Sequence, residues 1–161
     1  MPPKLNSMRL LETHHIPYTV LTYPDNIRDA EQVADAVGAP RAIVYKTLVV
    51  QSPQEKKPFL ALIAAERQLD LKKLALAAGV KKMQMATFND AERLTGLKVG
   101  GISALALTQK QWPVYLDARA RDLDLIIISA GQRGLQLRLP VQALVDLLAI
   151  HVADIVVEIL S

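Results

Sequence analysis

The chain has 161 residues, of which 51% are hydrophobic, 22% are charged and none is cysteine, with a formal net charge of +3. That length suits one compact domain spanning residues 1–161 with a complete core. The missing cysteines exclude a disulfide, a thiolate nucleophile and a zinc–thiolate site, and one Trp with two Phe argue against an open RNA platform of stacked aromatics. In chain order, Ser7 is placed to cap a helix through Met8, Leu10, Leu11 and His14, which Pro17 ends. Tyr18 to Tyr23 reads as a strand, and Pro24-Asp25-Asn26 turns the chain. Asp29 opens a second helix that Gly38 stops. Ile43 to Val50 is a strand, and after the polar loop from Ser52 to Pro58, Phe59 to Ala65 returns antiparallel to it.

Asp70 caps a helix from Leu71 to Ala78, which Gly79 terminates, and Val80 to Met85 alternates as a half-buried strand does. Asn89 or Asp90 begins a short helix ending at Gly96. Three strands follow, Pro113 to Asp117, Leu123 to Ser129 and Leu135 to Leu139, joined by turns. Pro140 suits the first position of a last helix carrying Leu144, Leu147, Leu148 and His151. Helices interspersed early and a later run of strands indicate an α+β class. The apolar tail from Ile155 to Leu160 either covers the core or forms a dimer contact, and core packing is the expectation for so short a segment. The start, Met1 to Asn6, lacks the apolar stretch of a secretory signal. The most apolar segments fall short of the roughly twenty residues that cross a bilayer. A soluble cytoplasmic protein with no membrane contact is expected.

Familiar catalytic patterns are missing. Ile127 stands where a nucleophile elbow around Ser129 needs its first glycine. His14, His15 and His151 fall on the terminal helices; His151 and Asp154 share a helical face, but two ligands do not make a zinc site. Gly96 and Gly101 have P-loop spacing, yet Ile102-Ser103 follows instead of Lys-Ser or Lys-Thr. No metal and no cofactor is expected.

What stands out is Lys46, set inside the apolar strand Ile43 to Val50. An ammonium there loses hydration unless a carbonyl, a carboxylate or a bound anion compensates, or the side chain snorkels to the sheet edge. Two glycine-containing loops, Gly100-Gly101-Ile102-Ser103 and Ser129 to Gly134, can close over the same point. Glycine pairs let a backbone approach a ligand and aim N–H groups at an oxygen, although each is also an ordinary turn. Ser129 is a turn serine or a polar group at a pocket mouth; Tyr23 is a pocket wall or a core residue; Arg133 clamps a phosphate or is solvated. Lys72, Lys73, Lys81 and Lys82 either contact an RNA backbone or form a solvated face.

Tyr45-Lys46-Thr47-Leu48, Leu69-Asp70-Leu71-Lys72-Lys73, Lys81-Lys82-Met83, Thr95-Gly96, Val99-Gly100-Gly101-Ile102-Ser103 and Arg133-Gly134-Leu135 occur in a characteristic order and spacing. From about residue 7 to residue 155 the chain resembles the YbaK/prolyl-tRNA synthetase-associated domain family, free-standing aminoacyl-tRNA deacylases that are similar to the editing insertion of bacterial prolyl-tRNA synthetases. It most resembles the YbaK branch, which clears cysteine mistakenly attached to proline tRNA. The resemblance implies an α+β fold with a mixed, barrel-like β-sheet flanked by helices, and a pocket for the aminoacylated end of tRNA. It implies Lys46 as the central catalytic residue, orienting the terminal adenosine or the ester. Gly100, Gly101, Ile102 and Ser103 then hold the ester and limit side-chain size, with Tyr23, Ser129 and Gly131 also at the pocket. In that branch the substrate's own thiol attacks the ester, and related branches use a ribose hydroxyl or water. The implied partners are aminoacylated tRNA, in particular tRNA(Pro), and prolyl-tRNA synthetase. The chain departs from the pattern at Ala104, where the family has proline, at Ala130 and Gln132, which replace glycine and lysine, and at Gln136, where the branch often carries aspartate. These departures motivate two other readings: a non-catalytic module that binds tRNA or the synthetase, and a deacylase for alanyl-, seryl- or threonyl-tRNA.

Overall fold

A computed structural model describes residues 4–159. Met1, Pro2 and Pro3 of the opening segment and Leu160 of the apolar tail lie outside the described residues. The elements are α1 (Asn6–Thr13), β1 (Thr19–Thr22), α2 (Ala30–Val37), β2 (Tyr45–Gln51), β3 (Phe59–Ala64), α3 (Leu71–Ala78), β4 (Gln84–Met85), α4 (Phe88–Thr95), β5 (Val114–Asp117), β6 (Leu125–Ser129), β7 (Leu135–Pro140), α5 (Val141–Leu148) and β8 (His151–Ala153). Two 3₁₀ turns, Leu105–Lys110 and Ala118–Asp122, flank β5. The α+β class holds.

The strands form two sheets, β1-β7-β6 and β4-β2-β3-β5-β8. The first is antiparallel throughout, whereas in the second β5 runs parallel to both β3 and β8. The expected barrel-like sheet is therefore corrected: the two sheets meet at the parallel bridge between Val44 and Ile127, and neither closes on itself. At that junction Ile127 N–H donates to the Ile43 carbonyl at 2.9 Å and Ala65 N–H to the Val44 carbonyl at 2.7 Å. Every residue of β3, Phe-Leu-Ala-Leu-Ile-Ala, is buried. A continuous apolar run of this kind belongs to a central strand covered on both faces. Leu60 and Leu62 pack on the side of α1, β6 and β7, and Ala61 and Ile63 pack against Leu74 of α3.

Several boundaries differ from the sequence reading. Ser7 lies inside α1 rather than capping it; its buried hydroxyl donates to the Ala130 carbonyl at 2.6 Å, a bond only the tertiary fold supplies. The cap of α4 is Thr87, whose hydroxyl accepts from Asp90 N–H at 3.1 Å, so the helix begins at Phe88. Only Gln84 and Met85 of the alternating segment pair as strand, because Val80 N–H still closes the end of α3 on the Ala75 carbonyl. Pro140 precedes α5 in an extended conformation, φ −64° and ψ 135°. Ala149, at φ 51°, ends that helix, so His151 and Asp154 share no helical face; His151 opens β8 and stacks on Tyr115. β5 does not continue into a run with β6 and β7 but crosses to the larger sheet. The tail packs on the core only at Ile155 and Val156, both fully buried, whereas Val157 and Ile159 are exposed, which corrects the expectation for that part of the segment.

Candidate functional site

A cavity of about 240 Å³ opens beside the junction of the two sheets. β2 supplies its floor from Tyr45 to Val49, the start of α2 supplies Arg28, Asp29 and Val33, and β4 with α4 supplies Met85, Phe88 and Ala91. Val99, Gly100 and Ile102 close one side; Ser129 and Gln136, cross-strand partners in β6 and β7, close another.

Lys46 is half-buried on this wall, in register with Ile63 of β3. Its ammonium donates to the Ala65 carbonyl at 3.2 Å, and among the described residues no carboxylate pairs with it. One carbonyl occupies one of three N–H donors. The phenol of neighbouring Tyr45, 2% exposed, is pushed up to about 12, first by burial and then by the negative charge of Asp117. The next side chain, Thr47, has a buried hydroxyl with no hydrogen-bond partner among the described residues. Leaving such a group unpaired costs roughly 1–3 kcal/mol.

The glycine loops interlock. A methyl group on Gly101 would come within 2.9 Å of the Arg133 nitrogen and 3.1 Å of the Gln132 carbonyl carbon, so only glycine fits without displacing backbone. Arg133 holds the contact from the other side, donating from Nε to the Val99 carbonyl at 2.7 Å. Gly100 adopts φ +92°, with Arg28 Cβ 3.2 Å from where a Cβ would stand. Ser103, fully buried, accepts from Leu105 N–H at 3.2 Å and starts the 3₁₀ turn. Ser129 accepts from Gly131 N–H at 3.1 Å.

Of the residues singled out from sequence, Lys46, Gly100, Ile102 and Ser129 line the cavity. Gly101, Ser103, Gly131 and Tyr23 stand behind it and hold the lining in place. Tyr23 is 8% exposed, and its hydroxyl accepts a long hydrogen bond from Gln136 Nε2 at 3.5 Å. Arg133 ties two loops together through its Nε. Lys73 is likewise engaged, donating to the Asp154 carboxylate at 3.1 Å and the Val156 carbonyl at 2.8 Å, whereas Lys81 and Lys82 are exposed. Arg28, Thr47, Met85 and Phe88 escaped the sequence reading. The only local signal was Phe88 itself, an aromatic beside a helix cap in a chain with two Phe.

The aminoacyl-tRNA editing domain family matches residues 24–147, a span that contains the whole cavity lining. A protein of Enterococcus faecalis named "Putative Cys-tRNA(Pro)/Cys-tRNA(Cys) deacylase EbsC" is 38% identical over 146 residues, covering 89% of this chain and 88% of that protein. The proline–tRNA ligase of Staphylococcus aureus is 23% identical over 112 residues, 70% of this chain but only 19% of the ligase. A solved structure described as "Crystal structure of a putative trans-editing enzyme for prolyl tRNA synthetase" superposes with a TM-score of 0.78 at 26% identity, covering 97% of this chain and all of the other. By this match and by its likeness to EbsC along nearly its full length, the chain belongs to the aminoacyl-tRNA editing domain family.

Proposed function

We propose that this protein is a trans-editing aminoacyl-tRNA deacylase, a single domain of 161 residues that hydrolyses the ester of Cys-tRNA(Pro) in the cytoplasm, alongside prolyl-tRNA synthetase. The observation that carries the proposal is the Lys46 ammonium, held on the cavity wall by a single carbonyl and facing no carboxylate partner among the described residues. An ester carbonyl or ribose oxygen placed there takes a charge-assisted hydrogen bond. The cavity, at about 240 Å³, is smaller than the roughly 300–1,000 Å³ of sites that engulf a drug-sized ligand. It suits the aminoacyl end of the substrate and leaves the rest of the nucleotide outside.

The chain has no cysteine, and no histidine lines the cavity among the described residues; the nucleophile assigned here is the one the resemblance to the YbaK branch implies, the substrate's own thiol. The cysteinyl thiol attacks its own ester carbonyl. A carbon–sulfur bond forms as the carbon–oxygen bond to the ribose breaks, and the ribose hydroxyl leaves with the proton the thiol gives up. Water then opens the cyclic thioester to free cysteine, which completes the hydrolysis. Holding the ester in the folded conformation that brings thiol to carbonyl supplies acceleration by proximity. Lys46 stabilises the charge that develops on oxygen. Gly100 and Ile102 limit the side chain, with Gly101 and Ser103 fixing that loop; Ser129 and Gln136 form the opposite wall, backed by Gly131 and Tyr23.

A second reading rests on Gln136. This neutral side chain, 5% exposed, stands in the lining where the YbaK branch often has aspartate, as a pocket that binds without turning over could tolerate. Single-turnover hydrolysis of Cys-tRNA(Pro), with Ala- and Ser-tRNA(Pro) alongside, decides between them. The expected result is loss of cysteine that Lys46→Ala slows about a hundredfold or more without unfolding the protein. Cleavage of alanine or serine instead moves the specificity, and full activity in Lys46→Ala removes Lys46 from the chemistry. Silence on all three esters from a folded protein refutes the deacylase and leaves the binding module.

A further inference from the structure

At the lip of the Lys46 cavity the two large apolar side chains Met85 and Phe88 are left in solvent, 44% and 75% exposed. Phe88 is one of only two Phe in the chain, and the other, Phe59, is buried. The backbone beneath the pair is fixed on both sides. Met85 pairs with Val50 across the sheet, Ala86 N–H donates to the Val49 carbonyl at 3.0 Å, and the Thr87 cap holds the first turn of α4. The exposed ring is thus presented by rigid elements. On the approach to β4 lie two exposed lysines, Lys81 and Lys82, and Arg28 stands exposed on the lip formed by the start of α2.

We infer that Phe88, backed by Met85, is a stacking platform for the terminal base of the tRNA acceptor strand, with Lys81 and Lys82 meeting the phosphates that precede it. This rests on the deacylase reading above and adds a base subsite to it. A cavity too small for the whole nucleotide leaves the base at the mouth, where its flat face needs an apolar partner. An aromatic ring offers that to any base, because every base has a π-face. Lysines a few residues away on an exposed segment provide the charge complementarity an RNA strand requires. A single ring suffices for one base, so the scarcity of aromatics elsewhere is no obstacle.

The test uses an uncharged RNA minihelix ending in CCA and the same minihelix with an abasic 3′-terminal ribose, titrated by fluorescence anisotropy against the full chain. The wild type is expected to bind the intact end about tenfold more tightly than the abasic end. Phe88→Ala should erase that preference while leaving the abasic affinity unchanged, and Phe88→Trp should restore it. Equal binding of both probes by the wild type, or a preference that survives in Phe88→Ala, overturns the platform. Hydrolysis assayed in parallel separates the two claims. A Phe88-dependent base preference without ester cleavage keeps the platform and sinks the deacylase, and Lys46-dependent cleavage without a base preference does the reverse.

Discussion

The glycine at position 101 offers the sharpest test of how the loops shape the site. In Gly101→Ala the new methyl group would lie 2.9 Å from the Arg133 nitrogen, 3.1 Å from the Gln132 carbonyl carbon and 3.2 Å from Gln132 Cα. All three are backbone atoms, so no side chain can rotate away, and one loop must move by several tenths of an ångström. Forcing extra volume into a packed contact costs typically about 1–3 kcal/mol. For a chain of this size that is a fall in melting temperature of roughly 3–10 °C. The shift is transmitted directly to Gly100 and Ile102 in the cavity lining and strains the bond from Arg133 to the Val99 carbonyl. Gly96→Ala is the control: its φ of +73° disfavours a side chain, but nothing lies within 4 Å. Thermal unfolding and single-turnover deacylation, measured on both variants, separate strain from site geometry. Both should melt earlier, and only Gly101→Ala should lose activity in proportion exceeding its unfolded fraction. A Gly101→Ala protein with wild-type melting temperature and rate would refute the interlocked-loop argument.

Two further outcomes follow from buried positions. The Tyr45 phenol stays protonated in the fold until about 12, against an ordinary value of 10.0, so the unfolded chain binds fewer protons between these pH values. Stability should therefore fall as pH climbs through that window, by about 2–3 kcal/mol, and urea melts at pH 9 and 11.5 should show Tyr45→Phe with a shallower fall; parallel behaviour of the two proteins would contradict the assignment. Ala104, where the family carries proline, already has φ −61°, and its N–H donates no hydrogen bond within the described structure. Ala104→Pro should thus stabilise by about 0.4–1 kcal/mol, read as a higher melting temperature, and a lower one would show that the buried ring does not fit.

Local rules made much of the fold legible. Asp29 and Asp70 cap α2 and α3, and Gly38, Gly79 and Gly96 end helices in the left-handed conformation. These are near-neighbour effects that a sequence carries on its face. What escaped was non-local: the hydroxyl of Ser7 is spent on Ala130, 123 residues away, and β5 leaves its sequence neighbours to pair in parallel with β3 and β8. The site divides in the same way. Lys46 was legible because a charge breaks an apolar strand, and the Gly100 loop because glycines cluster. The resemblance put Tyr23 and Ser103 at the pocket, but neither lines the cavity, since the order of motifs along a chain does not reveal which side of a wall a residue occupies. The bond from Arg133 Nε to the Val99 carbonyl was not legible, because a backbone carbonyl carries no side-chain signature.

The departures at Ala104 and Gln136 bear unequally on function. Ala104 preserves the backbone angle that proline would impose, so the loop keeps its shape and loses only rigidity. Gln136 changes charge. With aspartate absent there, the acidic residue left in the lining is Asp29, and its carboxylate already accepts from Glu31 N–H at the start of α2. Against it stand Arg28 and Lys46, which leaves the cavity net positive. Such a field favours the developing oxyanion of an ester and the phosphates of the strand that bears it. It offers little to hold a protonated substrate amine. Selectivity among amino acids then falls to the walls, to the close approach of the Gly100 loop and the reach of Ile102, rather than to a charge partner for the amine. Gln136→Asp should accordingly change the affinity for charged over uncharged tRNA ends more than it changes the ranking of cysteine against alanine or serine. That shift in binding, set beside an unchanged ranking in the three-ester assay, distinguishes a steric filter from an electrostatic one; a reordered ranking would assign selectivity to charge.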